Sequence, residues 1–165
     1  MTCVPTRRLC YALGFLIATG LIAFALYLQH AQGEDPCPLC IFQRVVMIAL
    51  GVLFLLAALL GLGRIGTRVF AVLIGLTGAT GAAIAARHVW IQHMPPDQVP
   101  ACGPGLNYIL QAHPFFKALE VVLKGSGECA AVGWTFLSLS IPEWTLLWFI
   151  ALGLLGALQP FNRRP

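Results

Sequence analysis

The sequence predicts an all-α membrane protein, a four-transmembrane-helix bundle with a short interfacial amphipathic helix in the second outer loop. Of the 165 residues, 59% are hydrophobic and only 10% are charged. The mean hydropathy is +0.85, which is far above that of proteins with an ordinary water-exposed surface. Four long stretches also lack Asp, Glu, Lys and Arg, each close to the roughly 20 residues with which a helix crosses a bilayer.

The four predicted transmembrane helices belong to a single integral membrane domain, residues 1–165. Their approximate bounds are 9–29, 42–63, 69–91 and 143–161. The outer loops are approximately 30–41 and 92–142. The apolar run of the first helix is too long for the core of a secretory signal peptide, which spans about 7 to 15 residues. We therefore expect this helix to be retained.

Basic residues set the expected orientation of the helices. Arginine pairs lie before the first helix, between helices 2 and 3, and after the last helix: Arg7 and Arg8, Arg64 and Arg68, Arg163 and Arg164. Because Lys and Arg are retained on the cytoplasmic side of a membrane, we expect both termini in the cytoplasm. The basic residues form no stripe with interleaved aromatics, which argues against nucleic-acid binding despite a net charge of +4.

The second outer loop contains one segment with helical periodicity, residues 114–124. Its polar residues, Lys117, Glu120 and Lys124, recur at the spacing of one helix face, and apolar residues fill the rest of the segment. This pattern predicts a short amphipathic helix that lies on the membrane surface. The alternative is a soluble loop with a few apolar anchors.

The predicted topology divides the six cysteines between the two sides of the membrane. Cys3 and Cys10 belong to the reducing cytoplasmic side or its boundary, where we expect free thiols without a role. The other cysteines are all outside, where disulfides persist: Cys37, Cys40, Cys102 and Cys129. We therefore expect the chemistry of the protein on the outer side.

Cys37 and Cys40 form a C-x-x-C motif where the first outer loop enters helix 2. A helix amino terminus stabilises a thiolate through its dipole, which favours a redox-active pair. Two alternatives are a structural disulfide and a four-cysteine zinc site. A zinc site usually joins two close cysteine pairs, whereas Cys102 and Cys129 are far apart in the sequence. We therefore expect no metal site.

Arg44 follows Cys40 by four residues and thus lies one turn away on the same helix face. A guanidinium beside a thiol pair can stabilise a thiolate and donate hydrogen bonds to an acceptor oxygen that becomes anionic. The alternative is a membrane anchor that snorkels to the headgroups. Arg87 and His88 end helix 3 at the same depth, either as cations at a helix carboxyl terminus or beside the acceptor.

The segment Cys37-Pro-Leu-Cys-Ile-Phe-Gln-Arg44, the four spans and the second outer cysteine pair together resemble the DsbB family of bacterial disulfide-bond formation proteins. The resemblance spans the whole chain. It implies a protein-disulfide:quinone oxidoreductase of the bacterial inner membrane with its active loops in the periplasm. Such an enzyme reoxidises a DsbA-like dithiol oxidase and passes two electrons to a quinone, either ubiquinone or menaquinone.

The resemblance also implies an order of thiol exchange. The DsbA-like partner, a thioredoxin-fold protein, attacks the Cys102–Cys129 disulfide and forms a mixed disulfide through Cys102. Electrons then reach the Cys37–Cys40 pair through an interloop bond between Cys37 and Cys129. A DsbA-like partner, with a reduction potential of about −120 mV, is itself a strong oxidant. The final electron acceptor must therefore have a high reduction potential, as a quinone does.

The quinone site that the resemblance implies consists of Cys40, Arg44 and His88. His88 matches a histidine that the family has near the quinone, and Cys40 is the sulfur that engages it. No metal, flavin or nucleotide motif accompanies these residues. We expect a monomer in contact with membrane lipid.

Two other classes remain open at this stage. An enzyme resembling vitamin K epoxide reductase is also a quinone-linked bundle, but it has its C-x-x-C late in the chain, whereas Cys37 and Cys40 come early. A non-enzymatic tetraspan protein with two structural disulfides would need neither a quinone nor Arg44.

Overall fold

The structure, a computed structural model, describes most of the chain. The described residues are 7–33, 36–95, 97–99 and 127–161, together with residues 114, 117, 120, 124 and 125. Cys3, Cys102 and the two arginines near the carboxyl terminus therefore lie outside the described residues.

Four long helices dominate the described structure. They are α1 (Arg7–Gln32), α2 (Pro38–Leu59), α3 (Arg64–Gln92) and α4 (Ile141–Ala157). The segments that are long and apolar enough to cross a membrane are Arg7–Ala31, Pro38–Leu59, Arg64–Gln92 and Ile141–Phe161. The prediction of an all-α membrane protein with four spans is thus confirmed.

All four helices begin earlier than the sequence predicted, and the difference is largest for α2 and α3. α2 begins at Pro38 instead of near residue 42, and α3 begins at Arg64 instead of near residue 69. The prediction followed runs without charge, which mark the apolar stretch but not the end of the hydrogen-bonded helix. In α2 the helix extends into the C-x-x-C motif because Cys37 caps it and Pro38 suits a first-turn position, where its missing N–H is not needed.

The helices pack in sequence, α1 on α2, α2 on α3 and α3 on α4, with the most extensive interface between α3 and α4. In contrast, α1 and α4 share only a small interface. Large, fully buried side chains fill the centre of the bundle: Tyr11, Leu50, Phe54, Ile74, Phe149 and Leu152. A second buried cluster contains Cys37, Leu39, Ile84, Ile91 and Cys129. We call the end of the bundle with this second cluster the Cys37 end.

Glycines allow α3 and α4 to approach closely. A Cβ atom added to Gly78 would lie 2.8 Å from the Cα atom of Gly153, and one added to Gly81 would overlap the ring of Phe149. Membrane helices associate largely through such packing, because lipid gives no hydrophobic drive between them. The small residues of α3 are therefore part of the interface that holds α4.

We expect Gly78→Ala to lower the stability of the purified protein in detergent by about 1 to 3 kcal/mol, because the new methyl group meets backbone instead of a movable side chain. The thermal midpoint of unfolding measures this change. Gly20→Ala is the matched control, since a Cβ at this exposed position of α1 has no neighbour within 4 Å. Equal midpoints for the two variants would contradict the close packing described here.

The predicted interfacial helix, residues 114–124, lies largely outside the described residues. Lys117, Glu120 and Lys124 are described, and all three are helical. Lys124 Nζ lies 2.8 Å from Glu120 Oε1, as side chains one turn apart on a helix do. The hydrogen bond and charge of Lys124 hold the pKa of the Glu120 carboxyl below its usual value.

A small β-hairpin precedes α4. Its strands, β1 (Thr135–Phe136) and β2 (Leu139–Ser140), pair antiparallel. The two residues between them both have positive φ, 51° and 64°, as in a type I′ turn. Ser140 then caps α4, and its backbone N–H donates to Glu143 Oε2 at 2.6 Å, as in a capping box. The hairpin is thereby fixed against the first turn of α4.

Candidate functional site

The C-x-x-C motif forms the first turn of α2. Cys37 is the N-cap residue, and its Sγ accepts a hydrogen bond from the backbone N–H of Cys40 at 3.3 Å. The partial positive charge at a helix amino terminus favours an anionic sulfur. Cys37 thus caps α2, and Cys40 lies within the first turn of the helix.

Cys37 has both of the other described outer cysteines as neighbours. Its Sγ lies 3.0 Å from Cys40 Sγ, which is longer than a disulfide bond of about 2.05 Å. The Sγ of Cys129 and a ring nitrogen of His88 lie within 4.8 Å of Cys37 Sγ and of one another. Cys37 and Cys129 are buried, while Cys40 is partly exposed. Cys37 is thus close enough to form a disulfide with either Cys40 or Cys129 after a small movement.

His88 reaches this cluster from the last turns of α3 and is only 2% exposed. Its Nε2 lies 3.1 Å from the carbonyl oxygen of Cys129 and 3.8 Å from Cys37 Sγ. Its Nδ1 lies 3.2 Å from Gln43 Nε2. With its proton on Nε2, the neutral ring donates to the Cys129 carbonyl and accepts from the Gln43 amide. Both ring nitrogens then have partners.

Gln43 is a site residue that the sequence analysis did not single out. Its side chain is 4% exposed and bonds to His88. The signal was its position, because it is the polar residue between Cys40 and Arg44 in an otherwise apolar stretch. Polar side chains within membrane spans are costly unless they are paired, so they often mark functional contacts.

Arg44 of α2 bonds to α1. Its Nη1 donates to Gln29 Oε1 and its Nη2 donates to the carbonyl oxygen of Ala25 at 3.1 Å. These bonds use two of the five N–H donors of a guanidinium. Within the described part of the chain, no hydrogen bond uses the remaining donors, and this partly buried side chain also lines a cavity. The contacts therefore favour an oriented guanidinium over a snorkelling anchor.

A cavity of about 600 Å³ opens beside the cysteines at the Cys37 end, between α1 and α4. Its apolar walls include Leu21, Ile22, Leu28, Met47, Ile141 and Trp148. Its polar lining includes Cys37, Cys40, Gln43, Arg44, His88 and Gln92. A mostly apolar cavity of this size with a few convergent polar groups is typical of sites for small organic molecules. The three residues of the quinone site implied by the family resemblance, Cys40, Arg44 and His88, all line it.

Aromatic rings from the hairpin cover one side of this cavity. Trp134 packs edge-on against Phe24 of α1, with ring centroids 5.5 Å apart, and stacks on Phe136. Trp144 of α4 donates from Nε1 to the carbonyl oxygen of Phe136 at 3.0 Å. The hairpin therefore links α1 to α4 where these helices have little direct contact, and its aromatic side chains line the cavity.

The remaining residues singled out from the sequence lie apart from the cavity or outside the described residues. Arg87 donates from Nη2 to the carbonyl oxygen of Lys124 at 3.1 Å and does not line the cavity. Cys10 is buried near the opposite end of the bundle, in the first turn of α1. Cys102, the expected partner of Cys129, lies outside the described residues.

Known proteins resemble this chain along almost its full length. Residues 7–159 match the family described as "Disulfide bond formation protein DsbB". The disulfide bond formation protein B of Hahella chejuensis is 50% identical over 160 residues, which cover 97% of this chain and 96% of the relative. That of Methylococcus capsulatus is 45% identical over 159 residues, which cover 96% of this chain and 97% of the relative. The chain therefore belongs to the DsbB family of disulfide bond formation proteins.

Proposed function

We propose that this chain is a thiol:quinone oxidoreductase that reoxidises a DsbA-like dithiol protein and passes two electrons to a membrane quinone. The observation that carries the proposal is the position of Cys37 Sγ, which is 3.0 Å from Cys40 Sγ and within 4.8 Å of Cys129 Sγ. One sulfur is thus within reach of both a loop cysteine and a cysteine that lines the cavity. Membership of the family favours this function over a vitamin K epoxide reductase-like enzyme or a structural tetraspan protein.

The first half of the proposed reaction oxidises the partner. A partner thiolate attacks Cys102 in the Cys102–Cys129 disulfide, forms a mixed disulfide and releases the Cys129 thiolate. That thiolate attacks Cys37 in the Cys37–Cys40 disulfide, so a Cys37–Cys129 bond forms and Cys40 leaves as a thiolate. The second partner thiol then displaces Cys102, which completes the partner's disulfide.

The second half regenerates the chain. The Cys102 thiolate attacks Cys129, restores the Cys102–Cys129 disulfide and releases Cys37. The Cys37 and Cys40 thiols then hold the two electrons taken from the partner. A quinone bound in the cavity would accept these two electrons and two protons, and the Cys37–Cys40 disulfide would re-form. Each of these exchanges requires a thiolate as the attacking group.

The residues of the cavity fit a quinone head group. Apolar walls suit its ring and isoprenoid tail, and the cavity lies between α1 and α4, which are themselves membrane-spanning segments. Arg44 retains N–H donors that can orient a carbonyl oxygen near Cys40. His88, hydrogen-bonded on both nitrogens, can hold or release a proton beside the sulfurs. Ubiquinone and menaquinone both meet these requirements.

The proposed location is the bacterial inner membrane, with both termini in the cytoplasm and the Cys37 end toward the periplasm. Arg7, Arg8, Arg64 and Arg68 all lie at the end of the bundle opposite Cys37. This distribution supports the orientation, because basic residues are retained on the cytoplasmic side. It also brings the cysteine cluster to the compartment in which disulfides persist. We propose that the chain acts as a monomer.

Quinone dependence tests the proposal. Purified protein is mixed with a large excess of a reduced DsbA-like protein, with and without a water-soluble ubiquinone analogue, under exclusion of oxygen. We expect many partner disulfides per chain with quinone and about one round of oxidation without it. The experiment is repeated with a menaquinone analogue. Partner oxidation that stops after the first round with both analogues would defeat the proposal.

Substitution of Cys3 and Cys10 tests the proposal that only the outer cysteines take part in the reaction. We expect the double variant Cys3→Ser and Cys10→Ser to keep turnover within about twofold of the parent, because Cys10 lies in the first turn of α1, remote from the cavity. Cys129→Ser, in contrast, is expected to abolish turnover. Steady-state oxidation of the partner measures both. A folded double variant without activity would mean that the topology assigned to these cysteines is wrong.

A further inference from the structure

We propose that the reduced chain binds one zinc ion at Cys37, His88 and Cys129, a site that forms only when these two cysteines are thiols. The three side chains offer two sulfurs and one imidazole nitrogen, all within 4.8 Å of one another. These are the ligand types that zinc prefers in proteins. From the sequence we expected no metal site, because a four-cysteine zinc site is disfavoured by the separation of Cys102 and Cys129. The fold brings a different set of residues together.

The distances suit the metal. Zinc–sulfur bonds of about 2.3 Å and zinc–nitrogen bonds of about 2.0 Å in a tetrahedron separate neighbouring ligand atoms by roughly 3.5 to 3.8 Å. Cys37 Sγ already lies 3.8 Å from His88 Nε2, and the widest separation in the set is no more than 4.8 Å. A contraction of about 1 Å would therefore close the set around an ion. Cys40 Sγ, or a water from the cavity, would complete the four-coordinate shell.

Charge and hydrogen bonding also favour the site. Two thiolates and a neutral imidazole bring the charge of Zn²⁺ to zero, which suits residues that are all buried. The imidazole is oriented by Gln43, which contacts Nδ1. A metal-bound histidine usually donates its other N–H to an oriented acceptor. The Gln43 amide can present its oxygen to Nδ1–H by rotating, so it can serve the metal-bound ring as well as the free one.

The site also has an approach route. Cys37 and His88 line the cavity, as does the exposed carboxylate residue Glu128, next to Cys129 in the chain. A bound zinc ion would hold Cys37 and Cys129 as ligands and block their exchange with other sulfurs. We therefore expect zinc to act as a reversible inhibitor, a consequence that rests on the proposed function, whereas binding itself does not.

Zinc titration of the full chain tests the proposal. The protein, carrying Cys3→Ser and Cys10→Ser to remove the two thiols on the cytoplasmic side, is reduced with a phosphine and titrated with zinc chloride by calorimetry. Cobalt chloride serves as a second probe, because thiolate-to-cobalt charge-transfer absorption reports sulfur ligation. We expect one ion per reduced chain and at least roughly tenfold weaker binding after oxidation of the same protein with diamide. Equal binding by the two redox states would overturn the proposal.

Single substitutions identify the ligands. His88→Asn and Cys129→Ser should each weaken zinc binding by roughly tenfold or more, and Gln43→Leu should weaken it by about 10- to 100-fold, as loss of an orienting contact does. His93→Asn is the matched control, since His93 is exposed just after α3 and its Nδ1 lies 2.9 Å from the Val89 carbonyl oxygen. Unchanged binding in His88→Asn, or lost binding in His93→Asn, would refute the site. If a ligand variant does not fold, the comparison of reduced and oxidised parent protein still decides.

Discussion

Replacing Arg44 with methionine is expected to raise the KM for quinone by about 10- to 100-fold. The expectation follows from the hydrogen bonds that a guanidinium can donate to an acceptor oxygen, because a hydrogen bond to a charged group contributes about 1.5 to 3 kcal/mol and each 1.4 kcal/mol is a factor of ten. Arg44 is held for this role by its bonds to Gln29 and Ala25 on α1. Methionine keeps much of the volume and removes every donor.

The lysine variant and a second arginine make this test specific. Arg44→Lys keeps the charge but loses the planar fork of donors, so its KM for quinone should lie between those of the parent and Arg44→Met. Arg87→Met is the matched control, because Arg87 bonds to the loop carbonyl of Lys124 and does not line the cavity. It should leave the KM unchanged.

Steady-state kinetics at varied quinone concentration, combined with single-turnover oxidation of the partner, separates the two half-reactions. The partner step should stay close to the parent rate in both Arg44 variants, because the loop cysteines that meet the partner do not depend on this side chain. An unchanged KM for quinone in Arg44→Met would reduce Arg44 to a residue that joins α1 and α2. His88 would then be the next candidate for the residue that orients the quinone.

The double variant Cys40→Ser and Cys102→Ser is expected to lose turnover completely and to accumulate a Cys37–Cys129 disulfide on mild oxidation. In this variant Cys37 has lost its partner Cys40, and Cys129 has lost its partner Cys102. The Sγ atoms of Cys37 and Cys129 lie within 4.8 Å of each other. A disulfide needs a sulfur separation of about 2.05 Å, so a movement of a few ångströms in the segment around Cys129 is enough. The same bond is the interloop intermediate of the proposed exchange.

Mass spectrometry of proteolytic peptides identifies the bond directly. Cys10 is the internal control, because it is buried near the opposite end of the bundle and should not appear in a link with Cys37 or Cys129. Recovery of Cys37 and Cys129 as unlinked thiols after oxidation would contradict the proposed route. Links that involve Cys10 at similar yield would indicate that the sample had unfolded before oxidation.

The four spans could be predicted from the sequence because each is a long run without charge, and burial in lipid depends mainly on that property. Helix starts could not be predicted from the same rule. At α2 the start depends on Cys37, whose extended backbone and Sγ cap the helix. The helix therefore begins at Pro38, four residues before the predicted start near residue 42. The pairing of Thr135–Phe136 with Leu139–Ser140 was missed as well, since its turn carries Leu137 and Ser138 at positive φ instead of the usual glycine or asparagine.

The candidate site was predictable only where its residues are near in sequence. Cys37, Cys40 and Arg44 lie on one helical turn and the next, so their spacing alone brings them together. The approach of His88 and Cys129 to Cys37 depends on the packing of α3 and of the segment before the hairpin. Spacing contains no information about that packing, and the order of exchange came from the family resemblance. The same limit explains why the proposed zinc ligand set could not be predicted from the sequence.

The most direct test of the central claim, that this chain couples disulfide formation to quinone reduction, is the ratio of the two products in one anaerobic reaction. Quinol is followed by absorbance while the partner's thiols are counted in quenched samples. We expect one quinol for each partner disulfide over many turnovers. In a folded Cys37→Ser variant we expect no quinol, and no partner disulfides beyond those that the Cys102–Cys129 pair forms once. Partner disulfides that accumulate without quinol, or quinol formed at the parent rate by Cys37→Ser, would contradict this coupling.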